Sequence, residues 1–322
     1  MKNKIFILAG LLILLVIVFF IAKDLFFQKG NYSANPYEYN LDKLKKSDSL
    51  EVAFKEIKQF APGLDEIYGI AVDFSDRIYV SGNNGFEIFD NSGKPEKLIP
   101  VEGIARSIQV DNTGKIFLGM DDHIEIFDNN GKRIGNWKSE SKISILTSIA
   151  VTPEDVFVAD AGEKVVYHYD HNGNLINRIG EKDPQNNIPG FVIPSSFFDI
   201  GISHSGELWV VDPGRHTFMN FSFEGKLIST WGKASMGVDG FCGCCNPSNF
   251  AILSDGSFIT SEKGIERIKV YQPDGTYQYL VAAPDSFEEG TRGLDLAVDS
   301  QDRILVLDPV KKRIRFFVKK IN

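Results

Sequence analysis

From Glu51 onward the chain alternates short apolar runs with polar turns, and the same succession returns six times. Each copy opens on an apolar triplet closed by a small or acidic residue. The copies are Ile70-Ala71-Val72-Asp73, Ile108-Gln109-Val110-Asp111, Ile149-Ala150-Val151-Thr152, Ile200-Gly201-Ile202-Ser203, Ala251-Ile252-Leu253-Ser254 and Leu296-Ala297-Val298-Asp299. Spacings of roughly 40–50 residues mark a repeat architecture, in which each unit buries its apolar face only against its neighbours. The second copy shows what one unit contains. Ile108–Val110, Lys115–Gly119, Ile124–Phe127 and Arg133–Trp137 read as four strands, the last two joined by the turn Asn129-Asn130-Gly131-Lys132. The same turn chemistry recurs around Gly93, Gly173, Gly225 and Gly275. Four antiparallel strands per unit, six times, predict an all-β six-bladed β-propeller over residues 50–322.

The ends of the repeat region complement each other. The last copy supplies three strands and ends on Ile314-Arg315-Phe316-Phe317-Val318, while Val52–Ile57 is an orphan strand ahead of the first copy. Pairing the two completes the sixth blade and removes two exposed edges, so ring closure by the N-terminal strand is expected.

Ahead of the repeats, Ile5 to Ala22 is unbroken by polar side chains and flanked by Lys2, Lys4 and Lys23. That length suits one transmembrane helix, and Phe19-Phe20-Ile21-Ala22-Lys23 is a poor signal-cleavage site. The expected organisation is a cytoplasmic stub (1–4), a transmembrane helix (5–22), a tether (23–49) and the propeller. By the positive-inside rule the N-terminus stays cytoplasmic, and the propeller faces the periplasm or the cell exterior. A net charge of −8 is the wrong sign for neutralising phosphates, so nucleic acid is not an expected partner. The 25 Phe suit stacked sheet faces.

The segments Gly190-Phe191…Pro194, Ser203-His204-Ser205-Gly206-Glu207-Leu208, Val211-Asp212 and Phe221…Gly225 resemble the NHL repeat. The fifth copy does too, through Gly240-Phe241…Pro247, Ser254-Asp255-Gly256 and Val270-Tyr271…Gly275; the first two copies lack the Phe…Pro lead-in. The resemblance, to bacterial membrane-anchored NHL-repeat proteins, covers Glu51 to Val318. It implies a six-bladed propeller used mostly as a binding platform, with a minority of enzymes such as peptidyl-hydroxyglycine lyases, so it constrains fold more than function.

Antiparallel order puts the loops before strand one and between strands two and three at one end of the ring. These longer loops make it the expected functional face. On it lies Phe241-Cys242-Gly243-Cys244-Cys245-Asn246-Pro247, which holds every cysteine of the chain, with Glu262 and Lys263 in the next loop. Outside the cytoplasm the cysteines could form a stapling disulfide, Cys242 with Cys245 or Cys244 with Cys245. Alternatively they could hold Cu(I), or Zn(II) with His216 or Glu262 as fourth ligand, or exchange thiols. Arg106, Arg215, Arg267 and Arg292 could form an anion-receptive patch, and His123 and His216 could serve a metal in the axial channel. Asp121, Asp122, Asp160, Asp212 and Asp308 at the second-to-third-strand loops read as ties for backbone N–H groups. No nucleophile–base–acid order or phosphate loop stands out, so binding is expected rather than catalysis. The leading expectation is a tethered platform for a protein or peptide, with Phe241, Cys242, Cys244, Cys245, Asn246, Glu262, Lys263, Arg267 and Arg292 on its binding face. The alternatives are a cysteine-centred metal or redox protein and, more distantly, a lyase or hydrolase working in the channel.

Overall fold

The computed structural model describes residues 12, 14–19, 51–243 and 245–320. The chain divides into Met1–Leu41 and Asp42–Asn322. In the first unit, Leu12 and Leu14–Phe19 are helical and exposed. No helix among the described residues is long and apolar enough to cross a membrane. Most of the expected span 5–22, and the tether 23–49, lie outside the described residues.

The described part of the second unit is all-β. Its strands run β1 (Phe54–Phe60), β2 (Ile67–Val72), β3 (Ile78–Phe89), β4 (Pro95–Val110), β5 (Ile116–Met120), β6 (His123–Phe127), β7 (Arg133–Lys138) and β8 (Leu146–Val151). They continue with β9 (Asp155–Asp160), β10 (Val165–Asp170), β11 (Leu175–Ile179), β12 (Ile200–Ile202), β13 (Leu208–Asp212), β14 (Thr217–Phe221) and β15 (Leu227–Trp231). The last are β16 (Asn249–Ile252), β17 (Phe258–Ser261), β18 (Ile268–Tyr271), β19 (Tyr277–Ala282), β20 (Asp295–Val298), β21 (Ile304–Asp308) and β22 (Arg313–Lys319). Hydrogen bonding joins them into five sheets of a propeller, where six were expected. Four sheets have four strands and the fifth runs β2-β3-β4-β5-β6-β7. The cause is β4. At 16 residues it spans two ladders, pairing with β3 up to Ile104 and with β5 from Ala105, so no break falls between them.

Closure follows the expectation. β1 pairs antiparallel with β22, with Phe54 opposite Lys319, Lys58 opposite Phe316 and Phe60 opposite Ile314. The pairing turns the last copy into a four-stranded sheet, β1-β22-β21-β20. Arg315 of β22 reaches Glu56 of β1 at 2.6 Å and Asp308 at 3.3 Å, adding a nearly buried ionic clasp to the ladder.

Register shifts one boundary of the sequence pattern. Ile252 pairs with Phe258 as Val72 pairs with Ile78, so the fifth triplet is Phe250-Ala251-Ile252, and Leu253 takes the place that Asp73 holds in the first. A carboxylate ties each of three tight turns locally. Asp90, Asp128 and Asp170 each accept the N–H groups two and four residues on through one carboxylate oxygen.

Neighbouring sheets interlock through those same turns. Gly173 and Gly275 have φ of 84° and 86°, and a Cβ on either would stand 2.5 Å from Trp137 or 2.7 Å from Trp231 respectively. The glycine thus meets two demands at once, a left-handed backbone and room for the outer-strand aromatic of the preceding strands. Gly93 against Phe60 and Gly131 against Ile99 repeat the arrangement.

Candidate functional site

The innermost strands are β2, the second half of β4, β8, β12, β16 and β20, and together they line an axial channel of about 240 Å³. Gly69, Ser107, Ser148, Asp199, Asn249 and Asp295 stand immediately before, or at the start of, the apolar part of these strands. All but Gly69 line the channel. Asp199 accepts from Ser148 Oγ at 2.6 Å, Ile200 N at 2.9 Å and Phe250 N at 2.8 Å. Asp295 accepts from Ile70 N at 2.8 Å, Leu296 N at 2.9 Å and Asn249 Nδ2 at 3.2 Å. Each carboxyl therefore ties its own strand to both neighbours, and between them they link β8 to β2.

Burial raises both carboxyls, Asp199 to about 6 and Asp295 to about 7, and the Asp199 charge adds to the Asp295 shift. Folded-state values above the unfolded one mean that stability is fully present below about pH 4 and is lost as pH rises through the folded values. Stability is accordingly expected to fall between pH 5 and 8 by on the order of 3 kcal/mol for the pair. Asp199→Asn should flatten that slope. Urea midpoints across this range check it, and equal or greater stability at pH 8 in the native chain refutes it.

At the end bearing the loops before the inner strands, the channel opens into a cavity of about 250 Å³. Tyr68 and Phe197 form its aromatic walls, and Arg106 and Arg292 its cationic ones. Arg106 is ion-paired with Asp121. Arg292 is exposed and makes no hydrogen bond or ion pair among the described residues. The other two arginines of the expected patch go elsewhere. Arg215 binds Asp212 and Gly190 O, and Arg267 is buried against Glu262 at 2.7 Å. The opposite mouth is larger, about 410 Å³, and lined by turn carboxylates such as Asp73, Asp111 and Asp299.

The cysteine loop is folded in rather than displayed. Phe241, Cys242, Cys245, Asn246, Glu262 and Arg267 are all buried, while Lys263 is half-buried. Cys244 lies outside the described residues. Asn246 clips the loop shut: its Nδ2 donates to Cys242 O at 2.6 Å and Lys263 O at 2.9 Å, and its Oδ1 accepts from Lys263 N at 2.9 Å. Glu262 Oε1 accepts from Cys242 N at 3.3 Å. Asp160 and Asp212 do the same for Ile145 N and Val192 N, so Glu262 is the fifth copy's version of a tie that recurs around the ring. Asp308 accepts from Lys311 N.

Beneath the loop is a group the sequence reading missed. Lys269 is fully buried, with Nζ 3.1 Å from Glu262 and 2.6 Å from Gly240 O, and it lies over the rings of Phe241 and Tyr271 at 4.6 and 5.1 Å. Burial pulls it down to about 8 against the attraction of Glu262. Burial also pushes the Cys242 thiol up, and the Glu262 charge adds to that. Cys242 is a free thiol, so it is not stapled to Cys245. Lys263 donates to Ser195 Oγ at 3.0 Å and lies 4.5 Å over Phe197.

Among the described residues no group of three or more His, Cys, Asp or Glu side chains forms a metal site. His216 does meet the cysteine loop, where its Nδ1 donates to Asn246 O at 3.0 Å. His123 sits between Asp122 and Glu125, and neither histidine lines the channel. A channel metal held by these two residues is therefore not what the fold builds.

No known protein family matches the sequence, and no curated protein is detectably similar. Solved structures do share the shape. A streptogramin B lyase structure is 13% identical with a TM-score of 0.58, covering 83% of this chain and 98% of that one. The virginiamycin B lyase of Staphylococcus aureus is 12% identical with a TM-score of 0.57, covering 83% and 100%. A chain of the mitotic checkpoint complex is 8% identical with a TM-score of 0.59, covering 86% and 95%. At such identities these similarities establish a β-propeller fold and nothing about chemistry, and a fold shared by enzymes and assembly proteins selects neither.

Proposed function

We propose that this protein is a membrane-tethered, six-bladed NHL-like propeller that captures a protein or peptide partner outside the cytoplasm. The observation that carries the reading is the mouth where loops from all six copies converge. Arg292 lines that mouth and is exposed, and loops of the same end carry the exposed Ile143, Val192 and Val310, whereas Phe241, Cys242 and Cys245 are buried. An exposed mix of apolar side chains and arginine is the composition that interfaces favour. Two facts support counting the six-stranded sheet as two blades: six inner strands surround the axis, and Gly131 packs on Ile99 within that sheet just as Gly173 packs on Trp137 between sheets. The apolar Ile5–Ala22 stretch with its lysine flanks supports the anchor and the orientation.

The reading of the cysteines as a Cu or Zn site, or as a redox pair, has less behind it. Burial and Glu262 favour the neutral Cys242 thiol over the thiolate that metal binding needs. His216 at the loop is what favours it. Anaerobic purification followed by elemental analysis decides between them.

A photo-crosslinking amino acid placed at Ile143, Val192 or Val310, and in parallel at Leu98 or Ile228 on the outer edge, tests the platform in membranes of the source cell. Discrete adducts are expected from the three loop positions at the mouth end alone. Adducts only from the outer edge, or none, would reject it.

A further inference from the structure

We propose that the mouth cavity binds a carboxylate carried on a small apolar body, either a free organic acid or the C-terminal residue of a peptide. The proposal rests on the reading of this end as the capture surface and names the chemistry of capture.

The cavity brings together two kinds of wall. Arg106 and Arg292 come from copies two and six, and Tyr68 and Phe197 from copies one and four, all on one volume of about 250 Å³. A guanidinium offers a planar fork that matches a carboxylate, and its charge at Arg292 is not spent on any acid among the described residues. Arg106 is held by Asp121, but that pair is partly exposed, with side chains 33% and 48% accessible, so a ligand carboxylate can share the guanidinium at little cost.

The aromatic wall is preformed. Lys263 caps Phe197 and hydrogen-bonds to Ser195, while Gly293, at a φ of 69°, lies at the ring's edge, where a Cβ would stand 3.3 Å from the ring. A rigid ring beside an uncommitted arginine suits an anion with a hydrophobic body, and the volume limits that body to about the size of one side chain. The channel below sets the orientation. Asp199 and Asp295 stand there on either side of Asn249, which also lines the mouth, so negative charge is disfavoured deeper in and the carboxylate stays at the rim.

The test is titration calorimetry on the full chain in detergent with four probes: phenylacetate, phenylacetamide, N-acetyl-Ala-Phe and its C-terminal amide. Each acid is expected to bind at least tenfold more tightly than its neutral amide. Arg292→Ala is expected to lose at least tenfold, and Arg106→Ala to lose less. Because Arg292 has no hydrogen bond or ion pair among the described residues, an unchanged melting temperature in that variant separates lost binding from lost structure. Saturable phenylacetate binding identifies a free acid as sufficient, and binding of the peptide acid alone identifies a C-terminus. Equal affinity of acid and amide, no effect of Arg292→Ala, or no heat with any probe overturns the proposal. Mouth-end crosslinks without carboxylate binding would sink this inference and leave the platform standing. Carboxylate binding without crosslinks would do the reverse.

Discussion

A chain beginning at Asp42 but lacking residues 51–60 is expected to lose cooperative unfolding and to associate. β1 does three things at once. It covers the hydrogen-bonding edge of β22, which otherwise carries the buried Ile314, Phe316 and Phe317 along an open strand. It places Phe60 against Phe89 of the first sheet at 4.6 Å and Phe316 of the last at 6.0 Å, so the ring is closed by side chains as well as backbone. It also supplies Glu56 to Arg315, which is only 6% exposed. Truncating a buried phenylalanine alone costs about 3–5 kcal/mol. Phe54→Ala should show a loss of that order, a large share of the roughly 5–15 kcal/mol that holds a domain together. Removing the whole strand takes that, the ladder and the edge protection together. Size-exclusion chromatography and urea unfolding of the two chains decide it. A monomeric deletion variant with an unchanged midpoint would mean that the ring does not depend on this closure.

The architecture was legible because its signals are local and repeated. Apolar triplets fix the inner strands, glycine turns fix the outer hairpins, and the mismatch of three strands at one end with one at the other fixes closure. β4 was harder. Pro95–Val110 contains no glycine turn strong enough to interrupt the ladder (Gly103, at a φ of 101°, bends it without ending it), so pattern alone could not show two ladders fused into one sheet.

The site was less legible, for a physical reason. A sequence shows which side chains share a loop but not which way the loop folds. Three cysteines between Phe241 and Pro247 suggested a displayed site, yet Cys242 and Cys245 are buried, and Asn246 closes the loop by bonding to Cys242 O and Lys263 O. Of the four arginines expected to form one patch, Arg106 and Arg292 line the mouth cavity, while Asp212 and Glu262 take Arg215 and Arg267. Asp199 and Asp295 did leave a trace. Each stands directly before an apolar triplet, at a level where other copies carry Gly69, Ser107 and Ser148. A carboxylate at a position otherwise small and neutral is the signal that could have found the channel pair.

Glu262→Ala is expected to destabilise the fold by about 3–5 kcal/mol, because it leaves two buried cations without their common anion. Arg267 and Lys269 lie 2.7 and 3.1 Å from that carboxylate, and all three side chains are almost wholly shielded from water. The loss should depend on pH. Lys269 already sits low, at about 8, through burial, and without Glu262 it falls further and sheds its proton on folding. A lysine whose folded value lies below its unfolded one costs stability as pH falls, so the deficit of the variant relative to the native chain should shrink from pH 7 to pH 9. Glu262→Gln separates charge from hydrogen bonding. It keeps an acceptor for Cys242 N, so the cysteine loop stays anchored, and it should lose less than the alanine variant at both pH values. Lys269→Met combined with Glu262→Gln removes one cation along with the anion and should regain part of the loss, since apolar replacements of buried ion pairs are often well tolerated. Urea unfolding of the three variants at both pH values measures all of this. If Glu262→Ala cost no more than an exposed substitution, about 0.5 kcal/mol, the cluster would contribute nothing to holding the cysteine loop against the ring.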